Sequence, residues 1–271
     1  MTNPANQYEI YAIRYATHDR PRSSNFLQRD PHDEGSMPMD YYVWLLRSGK
    51  RLILVDTGFN AETAARRSRR LLCCPIEALS VFGIDAAQIT DVIVTHLHYD
   101  HAGNLDKLPN ARFHIQDAEV SFATGRCMCF GALRHAYEID DVLDLVRYVY
   151  ADRVVFHAGD DSLEPGIELL RIGGHTAGLQ SVRVNTERGW VVLASDASHY
   201  YENMQSARPF PIIYNLGDML EGYRKLDAAA DSPEHIVPGH DPDVLRRYPA
   251  WPNELTAIAC LHQAPAAAAS A

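Results

Sequence analysis

The chain has 271 residues, of which 46% are hydrophobic, and this length suffices for a single domain with a full core. Its formal net charge of −10 is spread along the sequence, which argues against a surface built to neutralise nucleic-acid phosphates. No run reaches the ~20 apolar residues of a membrane span, and the N-terminal segment has no signal-peptide pattern. We therefore expect one soluble, cytoplasmic domain over residues 1–271, with neither nucleic acid nor a membrane as partner.

A β-hairpin is the first regular element that the sequence predicts. Apolar runs at residues 41–46 and 52–55 flank a polar turn at 48–50, and Asp56 directly follows the second run. Asp56 is therefore expected at the end of a strand. The preceding segment, residues 17–39, is polar and aperiodic, and it predicts a long loop.

Helical segments and a short buried strand follow the hairpin. Residues 60–72 are rich in Ala, Glu and Arg and predict a helix, on which the arginine run 66–70 forms a solvated face. A second short helix is predicted at 76–82. The apolar strand 91–95 then runs directly into a histidine-rich segment, residues 96–101.

The second half of the chain repeats this order of events. Asp196 follows one apolar run as Asp56 does, and His240 follows another as the histidine-rich segment does. We interpret the chain as two related β-rich halves, residues 8–118 and 153–250, which pack face to face. Their strand ends gather at one edge, where such scaffolds collect their chemistry.

Two further segments complete the organisation of the chain. Between the halves, about residues 117–150 have a helical pattern, which predicts an insert that acts as a lid or pocket wall. The tail, about residues 262–271, is alanine-rich and is predicted to be frayed.

Four potential metal ligands lie within six residues directly after the predicted strand, namely His96, His98, Asp100 and His101. Neutral imidazole and carboxylate suit zinc, and a loop that leaves a strand can turn all four inward. His96 and His98 point to the same side of an extended chain, whereas Asp100 and His101 follow a bend and can reach a second ion. Surface histidines in a polar loop are the alternative, and four potential ligands at this spacing argue against it.

Three isolated candidates supply the further ligands that such a site needs. They lie in short turns, His175 within GGHTAG, Asp196 within ASDAS and His240 within PGHD. Glycine beside a ligand lets the backbone approach closely and adopt a strained turn. The sequence thus offers seven ligands, which is more than one tetrahedral ion needs.

In this order, the ligand set resembles the signature of the metallo-β-lactamase superfamily, His-x-His-x-Asp-His followed by a distant His, Asp and His. The resemblance covers about residues 41–241 and implies an α/β fold, a four-layer αββα sandwich with a dinuclear site at one edge of its two sheets. It also implies two zinc ions per chain, and manganese, cobalt or iron fit the same ligands. By this resemblance one ion is bound by His96, His98 and His175, the other by Asp100, His101 and His240, and Asp196 bridges both.

Two carboxylates have expected roles beyond ligation. Asp56 resembles the family's supporting carboxylate, which orients a ligand histidine. A turn residue that only caps backbone amides is the equal alternative for Asp56. Asp100, as well as binding an ion, is expected to pass a proton to the departing alkoxide.

The chain resembles the N-acyl homoserine lactonases, the quorum-quenching branch, through the segments THLHYDHAGN, PNARFHIQDAE, GGHTAG and SDAS. This implies a hydrolase that opens a lactone by attack of a hydroxide that bridges the ions, with a small-molecule lactone or ester as its partner. Hydrolysis of another ester, thioester or cyclic amide is the alternative. A metal-binding module without catalysis ranks far behind, because structural zinc sites are closed and usually rich in cysteine.

Two other branches of the superfamily are disfavoured. Class B β-lactamases typically carry Arg where this chain has His101, and Cys where it has Asp196. Glyoxalase II shares the seven ligands, but the C-terminal part of this chain has no obvious basic cluster for the carboxylates of glutathione.

His199 is the position at which the chain departs from the lactonase pattern. Those enzymes usually place a tyrosine three residues after the bridging Asp, and here that residue is His199. We expect His199 to donate a hydrogen bond to the substrate carbonyl, which makes it a catalytic residue beside Asp100. The alternative is an exposed His199, with Tyr200 or Tyr201 supplying the hydroxyl.

The cysteines and the remaining histidines carry no signal of a site. Five cysteines are an odd number and are expected to be reduced thiols. The histidines expected to be structural or surface residues are His114, His135, His157 and His235. The sequence leaves the oligomeric state open, a dimer included.

Overall fold

Two β-sheets form the centre of the protein. The computed structural model describes residues 6–28, 30 and 32–266, so the last five positions of the predicted tail lie outside the described residues. Within these ranges the strands are β1 (Glu9–His18), β2 (Met39–Ser48), β3 (Arg51–Val55), β4 (Arg70–Leu71), β5 (Asp91–Ile93), β6 (Arg112–Gln116), β7 (Val154–His157), β8 (Asp161–Glu164), β9 (Ile167–Arg171), β10 (Gln180–Thr186), β11 (Gly189–Ser195), β12 (Ile236–Pro238) and β13 (Ile258–Cys260).

The strand order within each sheet explains which chain ends meet. The first sheet runs β13-β1-β2-β3-β5-β6-β7, with β4 beside β1, and the second runs β12-β11-β10-β9-β8. The predicted hairpin is confirmed, since β2 and β3 pair antiparallel. β3, β5 and β6 are parallel neighbours, and so are β11 and β12. Their carboxyl ends therefore deliver loops to common edges of the two sheets.

Helices cover the outer faces of both sheets. They are α1 (Ala61–Arg66), α2 (Asp117–Thr124), α3 (Gly131–Arg134), α4 (Ile139–Tyr150), α5 (Tyr201–Gln205), α6 (Leu216–Ala229) and α7 (Asp243–Arg247). Short 3-10 helices span Arg22–Ser24, Glu77–Phe82, Ala86–Gln88, Leu105–Lys107, Arg126–Cys129 and Pro233–His235. No helix in the described ranges is long and apolar enough to cross a bilayer.

The apolar core lies in three layers, one between the sheets and one on each outer face. Because side chains alternate along a strand, Tyr41 and Val43 of β2 pack towards the helices, whereas Tyr42 and Trp44 pack between the sheets. A third cluster joins β11 to α6, where Val192 contacts residues such as Leu226. The layers therefore follow the order helix, sheet, sheet, helix, and the predicted αββα fold is confirmed.

The helix predicted at residues 60–72 is shorter than expected. Helix α1 ends at Arg66, and Ser68 adopts a left-handed backbone with a φ of 54°. Such a backbone cannot continue a right-handed helix. Arg70 and Leu71 consequently pair with β1 as a short edge strand.

The predicted division into halves also needs correction. Strand β7 pairs with β6, so the first sheet extends to residue 157, and β13 returns to that sheet beside β1. The predicted fraying of the tail is wrong at its start, because His262 is buried and its Nδ1 lies 3.1 Å from the backbone nitrogen of Ile10. A periodic pattern identifies strands but not the partner with which each strand pairs.

Candidate metal centre

The predicted ligands converge where strand ends of the two sheets meet. The segment 96–101 follows β5, Asp196 follows β11, and His240 follows β12, the parallel neighbour of β11. His175 lies in the turn between β9 and β10. All seven side chains are buried.

The carboxylate of Asp196 lies between two pairs of histidines. Its Oδ2 is 3.0 Å from Nε2 of His175 and 3.7 Å from Nε2 of His96. Its Oδ1 is 2.9 Å from Nε2 of His240 and 3.2 Å from Nε2 of His101. Each oxygen thus faces a different pair, which is the arrangement expected of a carboxylate that bridges two ions.

His98 and Asp100 complete these two sets. Nδ1 of His98 is 2.9 Å from Nε2 of His175. Oδ2 of Asp100 is 3.8 Å from Nε2 of both His101 and His240. The candidate ligand atoms fall within 4.8 Å of one another in each of two groups, His96 with His98, His175 and Asp196, and Asp100 with His101 and His240.

Two buried nitrogen atoms test whether these residues fit metal ions. Nε2 of His96 and Nε2 of His101 are fully buried, and neither makes a well-oriented hydrogen bond among the described residues, although Nε2 of His101 lies 3.2 Å from Oδ1 of Asp196. Buried polar atoms are normally satisfied, and a cation at each group would satisfy both nitrogens. Burial also lowers the pKa of His96 and His98 well below the usual value, which keeps both rings neutral and able to bind a metal. The residues therefore fit divalent cations that accept nitrogen and oxygen ligands.

Hydrogen bonds at Nδ1 fix the orientation of three histidine rings, those of His175, His240 and His101. Nδ1 of His175 is 2.7 Å from the backbone oxygen of Ile212, and Nδ1 of His240 is 2.9 Å from that of Asp40. Each Nδ1 donates to a carbonyl, so Nε2 is the nitrogen that faces the centre. Burial lowers the pKa of His240, but the carboxylate of Asp196 raises it by more, so Nε2 of His240 must release a proton when an ion binds.

Asp56 holds the third ring and part of the loop. Its Oδ2 lies 2.7 Å from Nδ1 of His101, while its carboxylate also accepts from the backbone nitrogen and the hydroxyl of Thr95, at 2.7 and 2.8 Å. Both interpretations of Asp56 therefore apply, because it contacts a predicted ligand and caps a backbone amide. Asp56 takes a left-handed backbone with a φ of 61°, a strained conformation that the surrounding contacts maintain.

Glu119 is a further buried residue at the centre, and the sequence analysis missed it. Its carboxylate accepts from the backbone nitrogens of Leu97 and Gly178 at 3.0 and 3.1 Å, and from the hydroxyls of Thr176 and Tyr137 at 2.5 and 2.9 Å. It thereby joins the loop after β5 to the turn that carries His175. An acidic residue on a predicted helix gives no sequence signal of this role.

The pattern of ligands and the fold identify the family. A family model described as the metallo-beta-lactamase superfamily matches residues 38–240. The chain belongs to this superfamily. The predicted superfamily is thus confirmed.

Curated relatives and solved structures extend this superfamily assignment. A probable metallo-hydrolase of Mycobacterium bovis is 25% identical over 245 residues, covering 75% of this chain and 72% of the relative. An N-acyl homoserine lactonase of a Bacillus species is 30% identical over 192 residues, covering 64% of this chain and 70% of the relative. The crystal structure of a quorum-quenching N-acyl homoserine lactone lactonase has a TM-score of 0.73 at 25% identity, covering 87% of this chain and 92% of its own. The predicted resemblance to the lactonases is confirmed.

His199 lies beside the carboxylate of Asp196. Its Nε2 is 3.2 Å from Oδ2 of Asp196, and its ring stacks on Phe210 at a centroid distance of 3.7 Å. Burial lowers the pKa of His199 to about 3, so the ring is neutral. Asp196, His199 and His240 also form a third group of ligand atoms within 4.8 Å, which makes His199 a candidate ligand as well as a candidate donor.

Tyr200 and Tyr201 point away from this centre. The hydroxyl of Tyr200 donates to the backbone oxygen of Pro38 at 3.2 Å, and the ring of Tyr201 lies under the guanidinium of Arg247 at 3.7 Å. Neither tyrosine lines the cavity above the candidate ligands. The structure therefore favours His199 over both tyrosines as the group that faces a substrate.

A cavity of about 80 Å³ opens above the candidate ligands. Its floor includes His98, Asp100, Asp196 and His199. A larger cavity of about 580 Å³ adjoins it, since Arg67 and His135 line both. The predicted helical insert walls this outer cavity, with residues that include Ala123, Met128, Tyr137, Ile139 and Val142.

Two predictions about basic side chains are corrected by these cavities. The arginine run 66–70 is not uniformly a solvated helix face, because Arg67 and Arg69 line the inner cavity. His135, expected to be only a structural or surface residue, lines both cavities.

His114 and His157 are buried structural residues as expected, with Nδ1 of the first 3.1 Å from Nε2 of the second. The five cysteines are free thiols, as predicted.

Proposed function

We propose that the protein is a dinuclear metal-dependent hydrolase that opens the ring of a lactone similar to an N-acyl homoserine lactone. The observation that carries the proposal is the carboxylate of Asp196, whose two oxygens face separate pairs of histidines at 2.9–3.7 Å. Zinc suits the imidazole and carboxylate ligands, and manganese, cobalt and iron are the alternatives. Similarity to lactonases of about 30% identity supports the choice of substrate class.

The seven predicted ligands would hold the ions, His96, His98 and His175 on one side, Asp100, His101 and His240 on the other, and Asp196 between them. When bound, two divalent ions lower the pKa of a water molecule towards ~7 and polarise a carbonyl group. The overall reaction adds the oxygen of water to the carbonyl carbon and breaks the ring C–O bond, so the ring oxygen leaves as a hydroxyl group.

Asp100 is the proposed source of the proton for the leaving oxygen. Its side chain lines the inner cavity and is among the few site residues with some remaining exposure, at 8%. A carboxylate at the floor of the cavity can accept a proton from water and transfer it to the alkoxide. The same residue would thus serve both as ligand and as acid.

His199 is the proposed donor to the carbonyl oxygen of the substrate. The stacked ring of Phe210 restricts its rotation, and the low pKa keeps it neutral. A neutral imidazole with one protonated nitrogen can stabilise the negative charge that develops on that oxygen.

The outer cavity is the proposed site for the apolar arm of the substrate. Its wall from the helical insert is largely apolar, and its volume of about 580 Å³ is within the range of small-molecule pockets. A lactone ring in the inner cavity would extend its arm past His135.

A hydrolysis screen of metal-loaded protein tests the proposal. The substrates are homoserine lactones of varied acyl length, other γ- and δ-lactones, matched open-chain esters, thioesters and nitrocefin. We expect the lactones to give the largest kcat/KM. Faster turnover of an open-chain ester, a thioester or nitrocefin would replace the lactonase by the corresponding hydrolase with the same metal centre.

A further inference from the structure

Two arginines line the inner cavity without a carboxylate partner. Arg20 follows β1, and Arg69 precedes β4, so both come from the edge of the first sheet that borders the metal centre. Both side chains are partly buried. Among the described residues no Asp or Glu oxygen lies within 4 Å of either guanidinium group, whose hydrogen bonds go to uncharged groups.

The contacts of Arg20 leave part of its donor capacity unused. Its Nη2 donates to the backbone oxygen of Ser24 at 2.8 Å, and Nη1 has only the sulfur of Met39 at 3.9 Å. Its Nε is buried and has no partner among the described residues. The guanidinium carbon lies 4.9 Å from the ring centroid of Phe210, the residue on which His199 stacks.

Arg69 is held beside Arg20 by uncharged groups. Its Nε donates to the hydroxyl of Tyr99 at 3.1 Å, and its Nη1 donates to the backbone oxygen of Arg67 at 2.7 Å. Nη1 is also 3.4 Å from Nε2 of His18. Burial, followed by the charges of Arg69 and Arg20, lowers the pKa of His18 to about 4, so this ring is neutral at physiological pH.

Several arginines near the cavities have carboxylate partners, whereas Arg134 of the outer cavity donates to the backbone oxygen of Met128. Nε of Arg67 is 2.6 Å from Glu138, and Arg22 pairs with both Asp33 and Glu202. The contrast shows that this surface has acids available for neutralising guanidinium groups. Arg20 and Arg69 are the pair that it leaves open towards the inner cavity.

Unpaired charges in a partly buried position are costly unless a ligand compensates them. Asp56, Asp100 and Asp196 lie nearby, and two divalent ions would slightly outweigh these three carboxylates. With the two arginines added the cavity would be positive, and an anionic group would lower its electrostatic energy. Guanidinium groups also bind carboxylate and phosphate oxygens with paired hydrogen bonds.

We propose that the substrate of this site is an ester or lactone that carries an anionic oxygen group, carboxylate or phosphate, which Arg20 and Arg69 bind. This inference rests on the proposed hydrolase function and changes its substrate, because an N-acyl homoserine lactone carries no anionic group. The anionic group would lie on the side of the inner cavity formed by β1 and β4, while the scissile carbonyl lies beside His199. Water adds to the carbonyl carbon, the ester C–O bond breaks, and the released oxygen takes the proton, so the anionic group itself is unchanged.

Three lactones that differ in one substituent test the proposal. They are 5-oxotetrahydrofuran-3-carboxylate, its methyl ester, and (5-oxotetrahydrofuran-3-yl)methyl phosphate, each assayed with metal-loaded protein. We expect kcat/KM for at least one anionic lactone to exceed that for the neutral methyl ester by about 10- to 100-fold. The relative rates of the carboxylate and the phosphate identify which anion the site takes. Equal or better turnover of the methyl ester than of both anions would overturn the proposal.

Variants connect this preference to the two arginines. Arg20→Gln and Arg69→Gln should each lower the ratio of anionic to neutral kcat/KM by about 10-fold or more, and Arg69→Lys should retain part of it. Arg70→Gln is the matched control, because Arg70 is exposed and does not line the inner cavity. An unchanged ratio in both Gln variants would refute the assignment. If a Gln variant does not fold, the ratio of anionic to neutral kcat/KM in the wild type and in Arg69→Lys still tests the proposal.

Binding of a compound that cannot be hydrolysed separates this inference from the proposed function. The probe is 3-oxocyclopentane-1-carboxylate, with its methyl ester as control, titrated by calorimetry into wild-type and variant protein. Tighter binding of the carboxylate that is lost in Arg20→Gln and Arg69→Gln would support the anion site even if no lactone were hydrolysed. Hydrolysis of neutral lactones together with equal binding of the two probes would leave the hydrolase intact and refute the anion site.

Discussion

At the scale of single residues, the centre depends on which nitrogen of each histidine faces inward. Backbone carbonyls and Asp56 occupy Nδ1 of three rings, so their Nε2 atoms converge on the carboxylates. His98 is the exception, because its Nδ1 faces His175 at 2.9 Å. Each ring thus presents one nitrogen to the centre, and the choice of nitrogen follows from the partner on the other side.

His199→Ala tests the residue at which the chain departs from the lactonase pattern. Loss of a donor to the developing oxyanion costs roughly 2.7–4 kcal/mol, so kcat should fall by about 10²- to 10³-fold. Elemental analysis should find the same metal content in the variant as in the wild type. Tyr200→Phe is the control, since its hydroxyl bonds to Pro38 outside the cavity. Loss of metal from His199→Ala would show instead that His199 is a ligand.

At the scale of elements, α2 connects the loops that carry the predicted ligands. Glu119 of this helix accepts four hydrogen bonds, two of them from backbone nitrogens of different loops. Gly178 approaches the same helix closely, since a Cβ there would lie 2.1 Å from the backbone nitrogen of Glu119. The loop after β5 and the turn after β9 are therefore held at a fixed separation by one helix.

Glu119→Gln should weaken this connection. The amide has the same shape but offers one acceptor oxygen, so buried donors lose their partner, at a cost of about 1–3 kcal/mol in the free energy of unfolding. Chemical denaturation of metal-free protein measures this loss without a contribution from bound ions. Asp117→Asn on the exposed face of the same helix should change the free energy by less than about 1 kcal/mol. Equal effects of the two substitutions would contradict the assigned role.

Asp141 makes the stability of α4 depend on pH. Burial, then the nearby carboxylates of Glu138 and Asp144, raises the pKa of Asp141 from 3.8 to about 8. Between about pH 4 and 8 the unfolded chain releases this proton while the folded chain retains it, so the free energy of unfolding falls as pH rises. Below about pH 4 Asp141 is protonated in both the folded and the unfolded chain, so it does not affect stability. Above about pH 8 the decrease in the free energy of unfolding is complete.

Asp141→Asn should remove this pH-dependent decrease in the free energy of unfolding. We expect the variant to unfold roughly 2–8 °C above the wild type at pH 8.5, corresponding to about 1–2 kcal/mol, with a much smaller difference near pH 4.5. Calorimetric scans at the two pH values measure the effect. Asp140→Asn, one residue earlier and exposed, is the control and should give a smaller gain. A gain independent of pH would contradict a raised pKa at Asp141.

At the scale of the whole molecule, the candidate ligands join the two sheets. Residues 96–101 follow a strand of the first sheet, whereas Asp196 and His240 follow strands of the second. Ions bound by ligands from both sheets would hold the two sheets together at this edge. Metal binding and global stability should therefore be coupled.

Metal content and thermal stability test this coupling. Protein loaded with zinc is expected to contain two ions per chain, because seven ligands with one central carboxylate exceed the needs of a single tetrahedral ion. Removal of the metal by a chelator should lower the unfolding temperature, and added zinc should restore it. A constant content of one ion, unchanged by excess zinc, cobalt or manganese, would contradict the dinuclear model.

The sequence by itself determined the superfamily, the αββα fold and the set of seven candidate ligands. These features are local patterns, a ligand-rich segment after a strand and isolated ligands in short turns, and local patterns are visible along the chain. Only the tertiary structure decided the contacts between distant segments. It placed Glu119 between two loops and Arg69 in the cavity wall beside Arg20. It also placed His199, and neither Tyr200 nor Tyr201, at the inner cavity. The physical reason is that hydrogen bonds between residues more than 20 positions apart depend on which strands pair and on where helices end. The left-handed backbone at Ser68 ends helix α1, and no periodicity in the sequence indicates it.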